Sequence, residues 1–228
     1  MTQQFVLDLA RPEPPSFDNF VTGANAEPMA ALVALAAGTS PETGILLWGA
    51  PGAGKSHLLR ATAQRAATAR PVVECATLRD VGPDVPPSAL VIVDAIDSAD
   101  ALAQGRLFTL INELPGRGGQ WLAAASTPPA SLPLRDDLRT RVALGLVFEI
   151  VPLSDTDKSV ALAAYARERG FRLSDDVIAY LLAHGRRDMP TLVAILAALD
   201  RHSLAAKRPI TVAMLRHWIQ HDLPWTAE

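Results

Sequence analysis

The sequence predicts an α/β fold, a parallel sheet of five strands covered by helices on both faces, followed by a small all-helical unit. Three observations predict it. Apolar runs of strand length alternate with helical segments as far as Pro152, the pattern of a parallel sheet buried on both sides. The first run leads into Gly49-Ala50-Pro51-Gly52-Ala53-Gly54-Lys55-Ser56, a phosphate-loop pattern that needs a strand before it and a helix after it. Beyond Pro152 only helical segments follow.

Taken in order, residues 1–16 read as a tail and linker. A short apolar, partly extended stretch precedes Pro12, Pro14 and Pro15, and proline at this density excludes a helix. The α/β core is expected over 17–152. Asn25 to Ala37 has helical spacing, and GTSPETG breaks it. ILLWG is a buried strand feeding the glycine loop, and Ser56 to Thr68 continues as a helix. RPVVECA, ALVIVDAID, GQWLAAAST and GLVFEIVPL supply four more strands, with a helix over Ala101 to Leu114 between the third and fourth. The helical lid is expected over 153–228, in four consecutive helices opened by serine, aspartate or threonine residues suited to N-capping.

Composition narrows the function. The formal net charge is −3 and the pI about 6.0, so no basic field draws the chain to phosphate backbones, and direct DNA binding is expected to be weak or absent. The single cysteine, Cys75, excludes an internal disulfide and reads as a buried strand residue. No N-terminal apolar run resembles a signal peptide, and none approaches the roughly 18 residues of a membrane span. A cytoplasmic protein without a membrane partner is expected.

The glycine loop carries the most specific chemistry. Glycines 49, 52 and 54, with Pro51 and Ala53 between them, let backbone N–H groups turn inward around a β-phosphate. Lys55 reaches the β/γ oxygens, Ser56 offers its hydroxyl to Mg²⁺, and His57 continues into the helix. LVIVD delivers Asp94 at the edge of a strand, where a carboxylate holds the metal's water shell, so Ser56 and Asp94 are the Mg²⁺ candidates. ATPases of this class usually place a second acid directly after that aspartate, and here it is Ala95, with Asp97 nearby. Intrinsic hydrolysis is therefore expected to be weak at most. Ser126 and Thr127 end the fourth strand, as γ-phosphate sensors or as a plain polar strand end.

Arg135, Arg139 and Arg141 precede the fifth strand. Arginine suits neutralisation of charge on a transferring phosphoryl group, because its planar fork contacts two oxygens. At an edge away from the protein's own loop it acts only on a neighbour's nucleotide. The other reading is a solvated helix end paired with Asp136 or Asp137. Arg186 and Arg187 open a lid helix. His217 and His221 have helical i, i+4 spacing but no third ligand, and read as structure. Trp225 has no explanation in the sequence.

In this order the pieces resemble the AAA+ ATPases of the bacterial replication-initiator family, DnaA, and among them the shorter regulators. The resemblance is carried by PSFDNFVTGANAEPMAAL, LLWGAPGAGKSHLLRA, LVIVDAID, LRTRVALGL, PLSDTDK and RRDMPTL. It implies ADP or ATP as ligand, with Lys55, Ser56 and Asp94 at phosphate and Mg²⁺. It further implies Arg141 as the trans arginine finger and Arg187 as the lid sensor, with Thr127 standing where initiators often carry an acid. Initiators continue past the lid into a helix-turn-helix domain, whereas this chain stops at Glu228, which favours a regulator. Gln4, Leu7 and Leu9 are similar to the Q-x-x-L-x-L peptide that docks into the DNA polymerase III β sliding clamp; an N-terminal edge strand is the other reading. The implied function is negative regulation of replication initiation. A clamp-tethered, nucleotide-bound protein, associated with the nucleoid through the clamp, would stimulate ATP hydrolysis by the initiator DnaA. The alternatives are an ATP-driven initiator or helicase loader acting on DNA and, less well matched, a P-loop kinase. A homo-oligomer is compatible with the sequence.

Overall fold

The computed structural model describes residues 14–75, 85–184, 188–206 and 210–221. The chain divides into two compact units, one spanning Pro15–Pro152 and a second that holds the helices from Leu153 onward. In the first unit the elements run α1 (Ala26–Ala36), β1 (Gly44–Trp48), α2 (Lys55–Ala66), β2 (Val72–Cys75) and β3 (Leu90–Val93). They continue with α3 (Ala101–Glu113), β4 (Gln120–Ala125), α4 (Asp136–Ala143) and β5 (Leu146–Glu149). All five strands are parallel, in the order β2-β3-β4-β1-β5.

The strands read as continuous apolar runs because both faces of the sheet are covered. Along β1, Ile45 and Leu47 pack with Leu32 and Leu35 of α1 and Leu58 and Leu59 of α2. Leu46, between them, points the other way and joins Val91, Val93 and Trp121 under Leu107 and Leu110 of α3 and Leu138 and Val142 of α4. Among the described residues Trp121 is the largest fully buried side chain, and it lies so close to Gly44 that a Cβ there would fall 2.0 Å from its ring. Glycine at the head of β1 is thus a packing requirement.

Two polar groups that the sequence does not announce hold the ends of this unit. Asn25 is buried and bonds both backbone groups of Val151: its Nδ2 donates to the Val151 carbonyl at 2.9 Å, and its Oδ1 accepts the Val151 N–H at 2.8 Å. The side chain thereby copies the pairing a neighbouring strand would give. Below the sheet, the Arg70 guanidinium donates to Gln120 Oε1 and to the Leu35 carbonyl, while Gln120 Nε2 donates to Ser40 O and Glu42 O.

The second unit contains α5 (Asp155–Glu168), α6 (Asp175–His184), α7 (Met189–Ala206) and α8 (Val212–His221). Its own core includes Leu162, Leu181, Leu192, Leu196 and Leu199. The expected caps are in place. Ser154 and Asp157 form a reciprocal capping box at the start of α5. Asp188 accepts the Thr191 N–H and Thr211 the Met214 N–H at the heads of α7 and α8. Among the described residues, no helix is long and apolar enough to cross a membrane.

Candidate nucleotide site

The strand order brings the ends of β1, β4 and β3 side by side, so everything that follows their last residues collects at one edge of the sheet. Ligands of open parallel sheets bind at this carboxyl edge. The glycine loop leaves β1 there. Gly49 has φ +148, and a Cβ on it would fall 2.6 Å from the Ile150 carbonyl. Gly54 has φ +101 and caps α2, which begins at Lys55, so the loop ends where free N–H groups of a helix N-terminus face outward. Pro51 and Gly52 are exposed at the loop tip, and Ala53 is buried against the α1–α2 face of the sheet.

Lys55 folds back over this loop. Its Nζ donates to the carbonyls of Gly49 at 2.6 Å and Ala50 at 3.0 Å. Burial holds the ammonium below the usual lysine value, against the opposing pull of the Asp94 and Asp97 carboxylates. An ammonium depleted of solvent in this way is stabilised by an anionic ligand, whose charge offsets the lost hydration.

At the end of β3, Asp94 Oδ2 accepts the Ser56 hydroxyl at 2.6 Å, and Oδ1 accepts the Ala95 N–H at 2.9 Å. The two sequence-predicted metal candidates are therefore in direct contact. Ala95 is exposed and adopts the left-handed conformation, φ +50, ψ 54. Asp97, three residues beyond Asp94, is turned towards the neighbouring strand: it accepts both the N–H and the hydroxyl of Ser126. The next residue, Thr127, carries a buried hydroxyl oxygen for which the described residues provide no hydrogen-bond partner. Such an orphan is unusual inside a folded protein and marks a place where a further polar group belongs. Sequence reasoning missed the Asp97–Ser126 pairing, because nothing in the spacing of two strand ends shows which side chains meet.

His57 and the segment leading into α1 close one side of the loop. His57 Nε2 lies 2.9 Å from the Ser16 carbonyl, and the Phe20 and His57 rings are 5.4 Å apart and tilted. Phe20 also reaches the loop itself: a Cβ on Gly54 would come within 2.8 Å of its Cε2. Residues 16–20 form a tight turn, with Asn19 Oδ1 accepting the Ser16 N–H at 2.9 Å and Ser16 Oγ accepting the Asn19 N–H at 3.3 Å.

The three arginines differ sharply. Arg135 pairs with Asp137, and Arg139 Nη2 lies 2.6 Å from Asp136 Oδ1. Arg141, in the last turn of α4, is exposed and has no ion pair among the described residues. Gln4, Leu7, Leu9, Arg186, Arg187 and Trp225 lie outside the described residues, as do the side chains of His217 and His221.

Comparisons with known proteins agree with this geometry. Residues 13–78 match the model of the bacterial DnaA ATPase domain, and residues 155–219 match that of the Hda lid domain. Among solved structures, domain III of the Thermotoga maritima replication initiation protein DnaA is 17% identical with a TM-score of 0.65, over 88% of this chain and 93% of that one. AMPPCP-bound DnaA from Aquifex aeolicus is 21% identical with a TM-score of 0.65, over 81% of this chain and 64% of that one. A RuvB variant from Thermotoga maritima is 18% identical, again with a TM-score of 0.65, over 91% and 72%. At these identities the likeness is one of fold. With a bacterial DnaA ATPase segment near its start, an Hda lid near its end and the α/β sheet of AAA+ proteins between them, the chain is an Hda-like member of the DnaA-related AAA+ proteins.

Proposed function

We propose that this protein is a negative regulator of replication initiation: a nucleotide-bound AAA+ subunit that docks on the ATP-bound initiator DnaA and stimulates hydrolysis there through Arg141. The observation that carries the reading is the contrast among Arg135, at the N-cap of α4, and Arg139 and Arg141 within it. Arg135 and Arg139 are each committed to an aspartate, while Arg141 keeps an exposed guanidinium with no ion pair among the described residues. An exposed guanidinium without an ion pair is available to an anion that a neighbour brings, such as the phosphates of its bound nucleotide.

The protein's own pocket is suited to hold nucleotide and poorly suited to consume it. Backbone N–H groups of the loop and the α2 N-terminus, with Lys55, would take the phosphates of ADP or ATP, and Thr127 offers an unused hydroxyl. Ser56 and Asp94 supply an all-oxygen donor pair 2.6 Å apart, the chemistry that Mg²⁺ accepts directly or through its waters. When bound, Mg²⁺ would neutralise charge on the phosphate oxygens. Water activation is the weak point. Ala95 has no group to orient a nucleophile, and the Asp97 carboxylate is engaged by the N–H and hydroxyl of Ser126. Bound nucleotide would then serve mainly to stabilise the folded, docking-competent state. Gln4, Leu7 and Leu9 would tether the protein to the sliding clamp.

The test mixes the protein with ATP-loaded initiator and DNA-loaded clamp and follows phosphate release. Arg141→Ala should lose most of the stimulation, on the order of 10³-fold given what trans arginines contribute elsewhere, while still binding the clamp. Replacing Gln4 and Leu7 by Ala should abolish clamp capture and leave nucleotide affinity unchanged. Equal stimulation by wild type and Arg141→Ala, or brisk ATP turnover by the isolated protein, would overturn the reading.

A further inference from the structure

Leu144 stands at the same end of α4 as Arg141 and has no part in the function proposed so far. It is 67% exposed. A single exposed leucine is ordinary surface; what distinguishes this one is its neighbour and its support. It follows Arg141 by three residues, the spacing that puts two side chains on one helix face. Its N–H bonds the Arg141 carbonyl at 3.2 Å. The residues beside it are pinned. Val142 is fully buried, and Gly145 sits so tightly that a Cβ there would come within 2.6 Å of the Gly44 carbonyl and 2.9 Å of the Trp121 ring. Packing thus fixes the turn from which Arg141 and Leu144 project, and a surface ordered in advance loses less conformational freedom on binding.

We propose that Arg141 and Leu144 form one docking surface for the nucleotide-bearing core of a second AAA+ subunit, with Leu144 as the apolar anchor that seats the partner. The inference rests on the role proposed for Arg141. Charge complementarity selects the occupant: an open guanidinium calls for an anion, and a leucine on the same face calls for an apolar surface beside that anion. Polyphosphate bound at the rim of a protein pocket offers both together, whereas inorganic phosphate or the sugar-phosphate backbone of a nucleic acid offers the anion without an apolar protein surface beside it. The two side chains have separable roles. Contacts made equally before and during reaction lower the concentration needed for stimulation, and only contacts made in the transition state raise the maximal rate.

The experiment titrates wild type, Leu144→Ser, Leu144→Met and Arg141→Ala into ATP-loaded initiator on DNA-loaded clamp, and reads the half-maximal concentration and the maximal hydrolysis rate. Leu144→Ser should raise the half-maximal concentration roughly tenfold, the scale of one apolar anchor in a small interface, with the maximal rate unchanged. Leu144→Met should restore it. If Leu144→Ser matches wild type in half-maximal concentration while Arg141→Ala is inert, the anchor is wrong and the role of Arg141 stands. An effect of Leu144→Ser on the maximal rate alone also overturns the anchor. If Arg141→Ala stimulates like wild type, the reading beneath the proposal fails. Because Leu144 is exposed, all four proteins should share one circular-dichroism melting curve.

Discussion

The imidazole of His57 is held on one side by the Ser16 carbonyl and on another by the Phe20 ring, and Phe20 in turn lies against the backbone of Gly54. A carbonyl oxygen only accepts, so the 2.9 Å contact requires hydrogen on Nε2. One side chain therefore connects the turn at 16–20 to the loop that would cradle phosphate. Replacing it separates packing from hydrogen bonding. His57→Ala should speed amide exchange at Asn19 and Phe20 and weaken ADP binding several-fold, the scale of losing about one hydrogen bond. His57→Gln keeps a donor of similar reach and should recover most of both. Exchange unaffected by His57→Ala would show that the turn holds without the imidazole.

At the scale of elements, the first unit depends on contacts between segments far apart in the chain. Asn25, just before α1, bonds the backbone of Val151, just after β5, through both of its polar atoms. Asn25→Ala leaves the N–H and carbonyl of the partly exposed Val151 without this partner, and the loss of two hydrogen bonds should cost about 1–3 kcal/mol of stability by chemical denaturation. Asn25→Asp keeps the acceptor, loses the donor and should fall between. A variant within experimental error of wild type would show that water replaces the amide. Contacts like this one explain what is legible in the sequence. The five strands, the glycine loop, Asp94 and the caps at Ser154, Asp188 and Thr211 can be read locally, because each is written in neighbouring residues. The order β2-β3-β4-β1-β5, the Asn25 bracket and the Asp97–Ser126 pair cannot, because long-range packing decides them. In the sequence, α4 reads only as a run of arginines before a strand. Its apolar signal is just Leu138 and Val142, buried at i and i+4 among charged residues, too little periodicity to mark a helix.

For the molecule as a whole, the site's value as a ligand pocket can be measured without any partner. At nucleotide about a hundredfold above its dissociation constant, binding to the folded state alone adds about 2.7 kcal/mol. In a chain of this size that corresponds to a rise in melting temperature of about 5–10 °C. Calorimetry with Mg-ADP should show it in wild type, and Lys55→Ala should lose most of it. An unshifted wild-type transition would contradict the nucleotide reading. A last consequence follows from the backbone at Ala95, held at φ +50. Aspartate tolerates that left-handed geometry better than alanine does, so the chain keeps a methyl group where local preference would accept a carboxylate. Many alanine codons become aspartate by a single base change. On the proposed reading, then, an adaptor and a self-firing motor would stand one mutational step apart, and the inert state would persist for what it does to other molecules, since the fold at that point does not require it.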